Sequence, residues 1–106
     1  MTQTLIKMPK TARAGEVIEI ATTIAHVMDS GYKPGADGKL IPRNILRSFT
    51  CQYDGVQVFE AQLFPAISSN PFVSFYLRAT RSGPVQLSWR GDQGFTHTET
   101  VQLQVT

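Results

Sequence analysis

Apolar and polar residues alternate with a period of two along most of this chain, and that rhythm confines it to β-structure. In residues 16–25, Ile18, Ile20, Thr22 and Ile24 share one side, and Glu19, Ala21 and Thr23 share the other. In residues 96–105, Val101, Leu103 and Val105 alternate with Thr100, Gln102 and Gln104. Successive side chains of a strand point to opposite faces, so each such segment offers one face to a core and one to water. No segment keeps helical spacing for three turns.

Seven strands are predicted on this basis, at 4–8, 16–25, 45–53, 56–64, 72–80, 85–90 and 96–105. The punctuation between them is specific. Pro9 stops the first, and Gly15 marks the start of the second. Asp54-Gly55 is a two-residue hairpin signal, because both positions of such a turn must accept positive φ. It forces the third and fourth strands to pair antiparallel. Pro65 and Pro71 bracket a connection that leaves one pairing and begins another, since proline supplies no ladder donor. Residues 81–84 and 91–94 read as turns. Seven short strands with turn signals at this spacing predict an all-β, immunoglobulin-like sandwich of antiparallel strands. With 106 residues the chain is expected to form one domain, 1–106.

The single cysteine excludes an intrachain disulfide and any site built from several thiolates. The sandwich is therefore expected without the inter-sheet bridge of antibody domains. Ten basic and eight acidic residues give a net charge of +2, too small and too dispersed for a nucleic-acid partner. No apolar run approaches the ~18 residues of a membrane-spanning helix. Residues 1–10 lack the apolar stretch of a secretory signal, so read alone the chain looks cytosolic.

Catalytic chemistry is sparse. His26 and His97 do not supply the three or four ligands of a zinc site, and no cofactor is expected. Cys51 shares its parity with Phe49 and Tyr53 and is expected to point inward, where a cysteine acts as a small hydrophobe. The alternative is a small redox or anion-binding protein that uses Cys51 with His26 or His97, which requires an exposed thiol of lowered pKa. Asp37, Asp54 and Asp92 read as turn residues.

Three features point to recognition instead. The segment 26–44 is long, polar and glycine-containing, yet carries Met28, Tyr32 and Ile41; a small hairpin is expected at Asp37-Gly38. Phe72 and Tyr76 lie on the opposite parity from Val73, Phe75 and Leu77, and Val56, Val58 and Phe64 oppose Phe59, Ala61 and Leu63. Two strands thus carry apolar residues on both faces, through a bulge that shifts parity or through an interface. Arg43 and Arg47, in the group Lys33, Lys39, Arg43 and Arg47, are candidates for steering an anion.

Several stretches together resemble the SoxZ family, the non-thiol subunits of the SoxYZ sulfur carrier. They are Ala12-Arg13-Ala14-Gly15-Glu16-Val17-Ile18-Glu19-Ile20, Gly38-Lys39-Leu40-Ile41-Pro42-Arg43-Asn44-Ile45, Phe49-Thr50-Cys51 and Ala66-Ile67-Ser68-Ser69-Asn70-Pro71-Phe72. The Asp37 to Arg43 and Asn70-Pro71-Phe72 stretches are the specific ones. The chain departs from the family at His26–Gly31, where a proline is common.

The resemblance implies an immunoglobulin-like subunit that is not an enzyme. Such a subunit pairs with SoxY, whose C-terminal cysteine arm carries thiosulfate-derived sulfur, and through it meets the other Sox enzymes. The closing residues, Val101-Gln102-Leu103-Gln104-Val105-Thr106, contain no Gly-Gly-Cys-Gly-Gly arm, which matches the scaffold partner. Met28, Tyr32, Phe72 and Tyr76 are the expected interface residues. The family also implies a periplasmic location reached by co-export with SoxY.

Overall fold

The computed structural model describes residues 3–25, 34–40, 44–63 and 71–106. They form eight strands: β1 Thr4–Lys7, β2 Thr11–Ala12, β3 Val17–Ile24, β4 Leu46–Tyr53, β5 Val56–Gln62, β6 Phe72–Arg78, β7 Gly83–Gly91 and β8 Thr96–Val105. One sheet has the order β1-β3-β6 and the other β2-β8-β7-β4-β5. The architecture is the predicted immunoglobulin-like sandwich without a disulfide; the lone Cys51 is a free, buried thiol.

The inner faces follow the alternation closely. Ile18, Ile20, Thr22 and Ile24 of β3 are buried, as are Phe49, Cys51 and Tyr53 of β4 and Val85, Leu87 and Trp89 of β7. The Thr22 hydroxyl meets the cost of its burial by donating to the Val73 carbonyl at 3.0 Å. Phe49 is the hub of the core, with its ring centroid 5.2 Å from Trp89 and 5.9 Å from Phe75. Phe59 and Phe75 stack at 4.4 Å and 8°, across the side of the sandwich where the edge strands β5 and β6 lie. Phe59 is half-buried, packed against the core and outside its fully buried set.

The turns form as their chemistry requires. Asp54 and Gly55 take φ of 51° and 84°, and Gln93 and Gly94 take 58° and 73°, two consecutive left-handed residues in each hairpin. The expected small hairpin in the long segment is present. Pro34 bridges Leu40, the Gly35 N–H donates to the Lys39 carbonyl at 2.7 Å, and Asp37 accepts from the Lys39 N–H.

Two differences from the sequence reading have local causes. The eighth strand, β2, pairs parallel with β8 through Thr11↔Gln104 and Ala12↔Val105. Pro9 interrupts the first pairing, and the chain crosses to the other sheet. A two-residue strand has no periodicity to read. β7, expected from the sequence as the sixth strand at 85–90, begins at Gly83, with Pro84 opposite Gln102. Proline is tolerated there because the position is near the strand's start.

Candidate functional site

The two sheets present very different outer faces. On the five-stranded sheet the cross-strand rows read Thr50, Ser88, Thr98 and Gln52, Gln86, Thr100, all neutral and polar. Ser88 and Thr98 hydroxyls bond each other at 3.1 Å. Such a face is well solvated and offers little to exclude water.

The three-stranded sheet is different. The registers Leu5↔Thr23 and Thr23↔Phe72 set Leu5, Thr23 and Phe72 in one row across it. Leu5 is 56% exposed and Phe72 65%. Tyr76, opposite Glu19 further along β6, is 71% exposed, and Val17 is also exposed. β6 keeps regular pairing over its whole length, so its outward aromatics do not come from a shifted parity. Among the described residues β6 is also an edge strand, with no strand paired beyond it, and its outer face carries Phe72 and Tyr76 on either side of Ser74.

The apolar surface continues round that edge. Tyr76, Val56 and Val58 line one depression of about 390 Å³, together with Arg78 and Arg81. In β5 a bulge does operate: Cys51 pairs with Phe59 and Gln52 with Gln57, leaving Val58 as the extra residue. The bulge shifts the parity of the residues before it, so that Val56 lies opposite the buried Tyr53, while Val58 keeps the outward direction set by Phe59. Val56 and Val58 nevertheless remain exposed.

Of the residues singled out in the sequence, Phe72 and Tyr76 lie on one outward face at one edge. Met28, Tyr32, Arg43, His26 and Phe64 lie outside the described residues. Arg47 is exposed, and Arg90 of β7 lines the same surface depression. Leu5 and Val17 were missed. Leu5 precedes the half-buried Ile6, so the two adjacent apolar residues of β1 were a readable sign that its outward face is not wholly polar.

Cys51 is fully buried, and burial pushes its thiol up to about 11. A nucleophile needs the opposite environment. His97 is committed elsewhere: its Nε2 is 2.9 Å from Glu99 Oε1, and its ring lies 6.0 Å from Trp89. Glu99 also accepts from the Thr4 hydroxyl at 2.9 Å, tying β8 to β1 of the other sheet. Hydrogen bonds from His97 and Thr4 hold the Glu99 carboxyl below the usual carboxylate range. Among the described residues no group of three or more His, Cys, Asp and Glu is placed to hold a metal ion.

A sequence model of the family described as sulphur oxidation protein SoxZ matches residues 6–102. A comparison with curated protein sequences found no match. Among solved structures the fold is similar to a superoxide reductase (neelaredoxin) from Ignicoccus hospitalis, with TM-score 0.72 and 14% identity over 99% of this chain and 82% of that one. It is also similar to the sulfur carrier protein SoxY from Chlorobium limicola f thiosulfatophilum, with TM-score 0.67 and 15% identity over 97% and 78%. A protein from Thermotoga maritima described as a putative superoxide reductase gives TM-score 0.65 and 13% identity over 97% and 85%. At these identities the likeness is one of fold.

Proposed function

This chain belongs to the SoxZ family, and from that premise we propose that it is the non-catalytic scaffold subunit that pairs with a SoxY-type carrier. The observation that carries this reading is the apolar outer face of the three-stranded sheet at its β6 edge, where Phe72 and Tyr76 stand exposed. Fully burying a phenylalanine side chain is worth about 1.5–3 kcal/mol, so two aromatics at the centre of a contact are strong anchors. On the opposite sheet the outer rows across β4, β7 and β8 carry polar side chains, with the charged Arg47, Arg90 and Glu60 at one corner. In this reading the sulfur chemistry takes place on the partner's cysteine, since Cys51 is buried with a raised pKa. The partner in turn brings the complex to the other Sox enzymes.

We further propose a periplasmic location, reached by passage together with the partner. A core that needs no disulfide is compatible with folding and pairing before export. Co-expression with a SoxY-type subunit carrying the only affinity tag tests the pairing. Co-elution of this chain in equal proportion is expected. Its loss in the flow-through would overturn the proposal.

A further inference from the structure

On the outer face of the five-stranded sheet, one corner breaks the neutral pattern. Leu46 pairs with Gly91 and Ser48 with Arg90, so Arg47 is the extra residue of a bulge in β4. Strict alternation from the buried Phe49 would turn Ser48 outward, Arg47 into the core and Leu46 into water. The bulge reverses this. Leu46 stays buried, and Arg47 and Ser48 both reach the outer side.

Arg47 is thereby brought beside Arg90. Both line a depression of about 360 Å³, with Ser48, Thr96 and Gln62 supplying hydroxyl and amide groups and Glu60 a single carboxylate. Neither guanidinium has a hydrogen bond or ion pair among the described residues, and Glu60 is also unpaired. Two guanidiniums against one carboxylate leave the depression positive, within an otherwise uncharged sheet face.

We propose that Arg47 and Arg90 form a binding site for a small tetrahedral dianion of the sulfate class. The planar guanidinium fork matches such an oxyanion with paired, charge-assisted hydrogen bonds. The neighbouring hydroxyls supply further donors. Glu60 opposes the anion and sets the affinity low. The site lies on the sheet opposite to the apolar face and does not depend on the partner assignment.

The test is a titration of the isotopically labelled full chain with sodium sulfate, followed by amide NMR, against sodium chloride at matched ionic strength. Sulfate is expected to give saturable shifts at Ser48, Gly91 and Thr96, with half-saturation on the order of millimolar. Chloride is expected to give none that saturate. Arg47→Ala and Arg90→Ala should each weaken sulfate by roughly tenfold, since each removes a charge-assisted contact. Glu60→Gln should tighten it by about threefold, because it removes a repelling charge under partial salt screening. A gain of affinity cannot arise from a damaged fold. Shifts equal to those of chloride, indifference to either arginine substitution, or no tightening in Glu60→Gln would each overturn the site.

Discussion

The Tyr53 hydroxyl, at the end of β4, accepts a hydrogen bond from the Arg81 backbone N–H at 2.9 Å and donates to the Arg81 carbonyl. It also accepts from the Thr80 N–H at 3.1 Å. One buried phenol thus pins the connection that leaves β6 of one sheet to the end of β4 in the other. Removing it leaves two backbone donors and a carbonyl without their partner. Tyr53→Phe is therefore expected to cost about 1–3 kcal/mol in urea unfolding. Arg81→Ala keeps those backbone bonds and loses only the exposed ion pair with Asp54, worth about 0–1 kcal/mol. Equal losses in the two variants would contradict this role for Tyr53.

Cys51 is expected to be inert in the folded protein. With its pKa near 11, about one thiol in a thousand is ionised at pH 8, and burial blocks access to that fraction. Thiol reagent should react only in denaturant. Cys51→Ser should lower stability by about 1–3 kcal/mol, because it places a hydroxyl among apolar neighbours. Rapid labelling of the native protein would refute this.

Glu99 makes acid stability depend on its own charge. Its folded pKa lies below the usual value, so its contribution is present above the unfolded pKa near 4.5 and is lost as pH falls through the folded one. The carboxylate is 40% exposed, and solvent screening limits the effect to roughly a few tenths of a kcal/mol. In urea melts at pH 7 and pH 3, wild type should lose more stability than Glu99→Gln. An identical loss would show that the Thr4 and His97 contacts do not favour the charged form.

Gly91 lies where β7 meets the residue preceding β4. A Cβ added there would stand 2.6 Å from the Ile45 carbonyl oxygen and 3.3 Å from the Leu46 Cα, both backbone atoms. Neither can swing aside as a side chain does. Gly91→Ala should cost about 1–3 kcal/mol. An unchanged urea midpoint would mean that the backbones separate freely at this point.

Much of the fold was legible because burial on one face writes a period of two into the sequence. β3 shows this best: the face predicted from Ile18, Ile20, Thr22 and Ile24 is the buried one. Asp54-Gly55 was legible because its φ requirement is local. What escaped depends on contacts between distant segments. The β2 bridge is too short to carry a pattern. The bulges at Val58 and Arg47 exist only relative to partner strands. Arg43, paired with Arg47 in the sequence reading, lies outside the described residues; the nearness of Arg90 to Arg47 follows from the pairing of Ser48 with Arg90 beside the bulge, which no local pattern shows. For the apolar face, parity exposed Phe72 and Tyr76 but not their neighbour Leu5, which joins the row only through Thr23. The destination of the Tyr53 hydroxyl was not written in the sequence either, since parity gives a side chain's direction and not its partner.

The central claim is that the β6 face holds the carrier subunit. Its most direct measurement is native mass spectrometry of this chain mixed with a SoxY-type subunit, comparing wild type with Phe72→Glu, Tyr76→Glu. Both side chains are exposed in the chain alone, so the double variant should fold as wild type does by circular dichroism. Wild type should give a one-to-one complex, and the variant should bind at least tenfold more weakly, or about 1.4 kcal/mol. An undiminished complex in the variant, or none with wild type, would contradict the account.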